Sequence, residues 1–351
     1  MKNLFLKIKR TKIWKNFIMY AFKPLYTLIW EFIINFEGKF LYINNIKNKK
    51  NFLKLYLADN DKFLIEKNLK LISIASKINE NLNKEFLDQM KSKIKNMERP
   101  SDHYLHGKEN YKINMFPYLN EDTQETIINF AIDEWNINFV AKYLKVLPVI
   151  SSIYVNLNIP IKDTEERGPM LWHKDDFGFK SLDLFLPLKD MSEESGPLFY
   201  MKKKNELGIF HKYEDAITNP KKGERNKIDI NTFENSYKNK NDIRKFIGKI
   251  GEAIFIDSFN CYHRGGFCSS KERLMMRITY QTPDSLSLSS AKPLRGLKEG
   301  IINKHIKMNN KINNYILFKR NFFFNKTKFQ KILIKFYKLI HFKDSFLTDK
   351  S

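Results

Sequence analysis

The sequence predicts an α+β chain with a mainly β core, on three observations. Strand patterning recurs: Val149 to Ile159 alternates apolar and polar residues, Leu182 to Leu186 is apolar apart from Asp183 and stops at Pro187, and Arg273, Met275, Arg277 and Thr279 fall on one face of a further strand. Helical periodicity marks Phe52 to Met97 and Asp122 to Leu144. The charge, finally, is confined to the ends. Residues 1–55 carry 12 Lys/Arg against 2 Asp/Glu, and residues 286–351 carry 15 against 3. The stretch between them is nearly neutral, although the chain as a whole is at +23.

The opening segment begins basic and continues apolar, but Lys12, Lys15, Lys23, Pro24 and Glu31 interrupt it and no small-residue cleavage site follows. That argues against a secretory signal. Phe17 to Phe36 has the length of a membrane span, but Lys23 and Glu31 inside it are costly in hydrocarbon. A helix lying in the plane of a membrane surface, or one packed on the core, fits better than a span. Between Phe52 and Met97, Ile65, Leu69, Ile72, Ala75, Ile78 and Leu82 follow at steps of three and four, as in packing helices. Asp122 to Leu144 opens on Asp122 and Glu125 in capping-box order and carries a stripe of Ile127, Phe130, Ala131, Trp135, Phe139 and Tyr143.

Beyond the central strands, Asn205 to Lys249 is a long polar stretch rich in Lys and Asn, of the kind that forms a lid or an insert. A short helix is expected in it at Asp242 to Ile247. Gly251 to His263 reads as turn, strand and loop. A Ser/Leu-rich linker then leads to a tail that interleaves lysines with aromatic residues. The organisation that follows is residues 1–55 as basic amphipathic N-terminal helices, residues 56–285 as the core domain with its insert at 205–249, and residues 286–351 as a basic helical extension.

A chain of 351 residues with 42% apolar content builds a sizeable core. Two cysteines, Cys261 and Cys268, make no disulfide framework and fit a reducing, cytoplasmic compartment. The split basicity, without zinc-finger spacing or an RNA-recognition signature, gives no expectation of a nucleic-acid partner. It leaves room for peripheral contact with an anionic membrane face through the two arms. No Gly-rich phosphate loop, HExxH or GxSxG run is present.

One constellation carries chemistry. His173 and Asp175 form a His-x-Asp pair, and His263 follows ninety residues after the first histidine. Two histidines and one carboxylate are the ligand inventory of the facial triad that holds Fe(II) and leaves three coordination positions open. On a strand, His173 and Asp175 would project into one cavity while Trp172 and Lys174 point away. Arg273 and Arg277 share a face one strand beyond the distal histidine, and the polar face of Val149 to Ile159, with Tyr154 and Asn156, is aimed at the same cavity.

The runs KYLKVLPVISSIYVNLNIP, LWHKDD, LDLFLPLKDMSEESGPLFY, GEAIFIDSFNCYHRGG and ERLMMRITYQ resemble those of phytanoyl-CoA dioxygenase-like proteins, over roughly Lys142 to Thr282. The resemblance implies a double-stranded β-helix (jelly roll, cupin-like) and an Fe(II)/2-oxoglutarate-dependent dioxygenase. His173, Asp175 and His263 would ligate the metal, and Arg273 would bind the far carboxylate of 2-oxoglutarate, with Arg277 as the other candidate. O2 would be consumed, the cosubstrate decarboxylated to succinate, and a small organic substrate hydroxylated. A carboxylate at Asp175 stands where a halide would have to bind, which favours hydroxylation over halogenation. The Gly196-Pro197 turn fits the family; MKKKNELGIF after Tyr200 departs from it, which bears on substrate binding. The alternatives are a jelly-roll scaffold without turnover and a basic, membrane-associated binding protein.

Overall fold

The computed structural model describes residues 35–47, 56–59, 62–65, 68–95, 111–160, 168–175, 181–201, 227–228, 230–236, 243–258, 261–283, 294 and 296–318. The fold is α+β, a jelly roll of two antiparallel sheets with helices packed on it. Its strands are β1 (Tyr56–Asp59), β2 (Lys62–Ile65), β3 (Lys112–Asn114), β4 (Val149–Asn158), β5 (Trp172–His173), β6 (Ser181–Pro187), β7 (Leu198–Met201), β8 (Lys227–Ile228), β9 (Ile243–Phe246), β10 (Ala253–Ile256), β11 (His263–Gly265) and β12 (Arg273–Gln281). The larger sheet runs β1-β2-β10-β6-β12-β4-β3 and the smaller β8-β5-β11-β7-β9. The helices are α1 (35–45), α2 (Leu69–Asn81), α3 (Lys84–Lys95), α4 (Glu121–Ala131), α5 (Glu134–Leu144), α6 (Ile230–Ser236), α7 (Glu299–Lys307) and α8 (Lys311–Phe318).

Period-two alternation sorts the side chains of the larger sheet into two layers. Leu182, Leu184 and Leu186 of β6 and Leu274, Met276, Ile278 and Tyr280 of β12 join Ile127, Ile128, Val140, Ala141 and Leu144 of α4 and α5 in the main core. Each leucine so enclosed contributes about 1.5–3 kcal/mol. The residues between them turn inward: Phe185, Ile254, Ile256 and Met275 meet Leu198, Tyr200 and Phe246 of the smaller sheet. A third cluster covers that sheet's other face, where Trp172, Met201 and Tyr262 pack on Ile230 and Phe233 of α6.

Several elements differ from their sequence-based expectation. The expected helical run from Phe52 begins instead with a hairpin, whose second strand pairs with β10 from Ala253↔Ile65 to Ile256↔Lys62 and extends the larger sheet. In α2 the buried stripe is Leu71, Ala75 and Ile78, whereas Leu69 is 85% exposed. The expected single helix from Asp122 is two. Asn120, not Asp122, caps the first by accepting from Thr123 N–H (2.8 Å), and Asp133 starts the second by accepting from Trp135 N–H (2.9 Å). Of the insert, Ile243–Phe246 is a strand paired with β7, not part of a helix, because pairing with β7 and burying Phe246 between the two sheets outweigh local helix preference. Residues 205–226 and 237–242 of the insert lie outside the described residues, as does the expected interfacial segment from Phe17 except its last two positions.

Described parts of both arms contribute to the main core: Leu41, Tyr42 and Ile46 at the N-terminal end, and Leu294, Ile301, Tyr315, Ile316 and Leu317 at the C-terminal end. No described helix is long and apolar enough to cross a membrane. Both cysteines are buried thiols outside any disulfide.

Candidate metal centre

The smaller sheet brings the two histidines together. His263 of β11 is the direct antiparallel partner of His173 of β5, and His263 also pairs with the inward-facing Tyr200. Both imidazoles therefore face the interior, while Trp172 turns to the opposite face and stacks on Phe233 at 4.7 Å. Lys174 also turns aside, over the ring of Tyr262 at 4.6 Å.

Asp175 reaches the same point by another route than the expected strand alternation. β5 ends at His173, and the following loop is tied down by the Asp175 N–H, which donates to Ser258 O (2.9 Å). The carboxylate then stands with Oδ1 3.7 Å from His173 Nε2 and Oδ2 3.7 Å from His263 Nε2. All three ligand atoms lie within 4.8 Å of one another.

The orientation of the rings decides what they offer. His173 Nδ1–H donates to Leu171 O (2.8 Å) and His263 Nδ1–H to Cys261 O (3.1 Å). A carbonyl oxygen only accepts, so each Nδ1 carries the proton and each Nε2 presents its lone pair to the cluster. Two imidazole lone pairs and a carboxylate on one face fit a divalent metal. Cis ligands about 2.1 Å from a metal lie about 3 Å apart, so the two 3.7 Å separations from Asp175 to the histidines need to close by less than an ångström. Burial pushes the Asp175 carboxyl up, but the charge of Arg277 beside it outweighs burial and holds the group well below the usual carboxylate range.

The two arginines separate. Both lie on β12, which belongs to the larger sheet and not, as expected, beside the distal histidine; they approach the site from across the interior. Arg277 donates from Nη2 to Asp175 Oδ2, and from Nε and Nη2 to Asp183 Oδ1 (3.0 Å) and Oδ2 (2.8 Å). Arg273 instead donates from Nη1 to the carbonyl of Gly196 and to that of Gly266 (3.4 Å), and makes no ion pair among the described residues. A Cβ on Gly265 would come within 3.2 Å of Arg273 Nη2, so the guanidinium rests against bare backbone two residues along from His263. Gly196 takes φ +72°, and a Cβ there would be 2.4 Å from Gly266 O, so only glycine permits the close crossing that Arg273 bridges.

On β4, Tyr154 stands opposite Arg277 and Asn156 opposite Met275, on the inward side as expected. Asn156 Oδ1 is buried and has no hydrogen-bond partner among the described residues.

Sequence reasoning missed Asp183, Ser258 and Thr279. Asp183 is 0% exposed and its oxygens accept from Ser258 Oγ, Thr279 Oγ1 and Arg277. The signal was a lone carboxylate inside the otherwise apolar run of β6, which burial makes untenable without a cation nearby.

No family model matches the chain, and no curated protein matches it. Among solved structures the chain is similar to AviO1 from Streptomyces viridochromogenes, at 13% identity over 68% of this chain and 94% of that one, with a TM-score of 0.39. It is also similar to the epimerase SnoN, solved with Fe3+, alpha ketoglutarate and nogalamycin RO (11% identity, 64% of this chain, 80% of that one, TM-score 0.36). EctD from S. alaskensis, solved with 2-oxoglutarate and 5-hydroxyectoine, matches at 14% identity over 64% and 73% of the two chains, with a TM-score of 0.36. Similarity this distant assigns no activity to the chain.

Proposed function

We propose that this protein is an Fe(II)- and 2-oxoglutarate-dependent oxygenase of the phytanoyl-CoA dioxygenase-like type, which hydroxylates a small organic substrate and releases succinate. The observation that carries the reading is the convergence of two Nε2 lone pairs, each fixed by an Nδ1–H to carbonyl bond, with one carboxylate inside a jelly roll. Ferrous iron bound there supplies the redox chemistry with O2 that protein side chains lack. Everything else falls to the chain. His173, Asp175 and His263 would hold the ion through three ligands and leave three positions, enough for a chelating 2-oxo acid and one further ligand.

Arg273 is the group proposed to hold the far carboxylate of the cosubstrate. Among the described residues its charge is bonded only to neutral carbonyls, so an incoming carboxylate gains a charge-assisted contact without displacing another anion. At Arg277 the same carboxylate would have to compete with Asp183, which already holds the Nε–Nη2 edge of the fork, and with Asp175 on Nη2. Tyr154 and the unpaired Asn156 Oδ1 would contact the cosubstrate or a donor group of the substrate.

Titration of 2-oxoglutarate into protein loaded with Mn(II), a redox-inert stand-in for iron, tests the reading. Binding that needs the metal, and that weakens in Arg273→Ala, supports it. Equal 2-oxoglutarate binding with and without metal contradicts it.

A further inference from the structure

Arg277 places a full positive charge on the carboxylate that would ligate the metal. Taken alone, that is a poor arrangement, since a guanidinium a few ångströms away repels a divalent cation and draws the carboxylate's charge to itself. Asp183 changes the sum. It occupies the Nε–Nη2 edge of the same guanidinium at 3.0 and 2.8 Å, and is itself fully enclosed and fixed by Ser258 Oγ and Thr279 Oγ1. Ser258 joins the two carboxylates: its hydroxyl donates to Asp183, and its carbonyl accepts from the Asp175 N–H.

We propose that Asp183 is a positioning residue that restores the negative charge of the metal ligand: it neutralises Arg277, so that Arg277 orients Asp175 without cancelling it. Resting on the metal-centre reading above, this deepens it. The Asp175–Arg277–Asp183 cluster carries net charge −1, against zero for Asp175 and Arg277 alone. Because Arg277 holds Oδ2, Asp175 offers Oδ1 to the metal as a single ligand instead of chelating. A chelating carboxylate would take one of the three positions that cosubstrate and O2 require.

The charges predict opposite signs for two variants of the full chain, read as Mn(II) affinity by electron paramagnetic resonance, with no cosubstrate or turnover needed. Asp183→Asn leaves Arg277 uncompensated beside the ligand, and Mn(II) binds about tenfold more weakly or worse, as for loss of an outer partner of a metal ligand. Arg277→Gln removes the repelling charge while keeping a neutral donor, and Mn(II) binds as tightly as in the wild type or more tightly. A network that only holds the fold together would weaken both variants in parallel, and that result overturns the proposal. So does wild-type affinity in Asp183→Asn. If Asp183→Asn does not fold, judged by far-UV circular dichroism, Arg277→Gln decides alone: a clear loss of affinity refutes the charge argument. Failure of the wild type to bind Mn(II) removes the metal centre itself and this inference with it, a result distinct from a binding wild type whose variants misbehave.

Discussion

His173 and His263 are direct cross-strand partners with ring centroids 4.4 Å apart, although ninety residues separate them in the chain. A strand pair sets that distance, so the two Nε2 atoms stay close whether or not a metal draws them together. His263→Ala and His173→Ala should each lower divalent-metal affinity by about 100-fold, the upper end of what loss of an outer-shell partner costs. Equilibrium dialysis with Mn(II) measures it. Each ring projects from its strand into the interior and is tied to the backbone through Nδ1, so its removal leaves the strand pairing in place and the circular dichroism spectrum should not change. Retained affinity in either variant would place the metal elsewhere.

The arginines give a second prediction. A hydrogen bond to a charged group is worth about 1.5–3 kcal/mol, so Arg273→Ala should raise the KM for 2-oxoglutarate by about 10- to 100-fold. Arg277→Gln should move it by less than about threefold, because its fork already holds Asp183. The reverse order in steady-state assays would show that Arg277 is the cosubstrate residue.

Phe233 anchors α6 to the outer face of the smaller sheet, fully buried between Trp172 and Tyr262 at 4.7 and 5.0 Å. Truncating a phenylalanine so enclosed costs about 3–5 kcal/mol. Urea unfolding of Phe233→Ala should show a loss of that order. A change below about 1 kcal/mol would mean that α6 is a detachable part of the insert.

His305 of α7 is 3% exposed. Burial, with Lys304 adding to it, outweighs Glu125 and holds its imidazole below the ordinary value. A histidine with a depressed folded pKa binds its proton more readily when unfolded. Its contribution is therefore intact above the unfolded value of about 6.5 and is lost as pH falls through that value towards the folded pKa. The Tm should drop between about pH 7 and pH 5, and His305→Gln should lose part of that slope. Identical slopes in the two proteins would clear His305 of any role.

How much of this was legible in the sequence depends on whether a partner lay in the same element. Strand β4 announced itself by alternation, and β6 by an apolar run ending at Pro187. The His-x-Asp pair and the distal histidine were legible because ligand types and spacing are local properties. The hairpin at Tyr56–Ile65 was not, since what favours it over helix is pairing with β10, almost two hundred residues away. The break between α4 and α5 was marked by Asp133, a capping residue hidden inside a continuous apolar stripe. The charges behind the site were hardest to read. Asp183 and Arg277 lie on neighbouring strands ninety-four residues apart, and only the pairing Phe185↔Arg277 shows that they meet.

The central claim is that His173, Asp175 and His263 hold iron for oxidation driven by 2-oxoglutarate, and succinate formation measures it most directly. Purified full-length protein, supplied with Fe(II), 2-oxoglutarate and O2, should release succinate even without its own substrate, through slow uncoupled turnover. Removing Fe(II), or substituting His263→Ala, should abolish the signal. Candidate substrates would then be recognised by the increase they cause. If the wild type, shown to bind Fe(II), releases no more succinate than His263→Ala across such a screen, the account of this protein as a 2-oxoglutarate-dependent oxygenase is wrong.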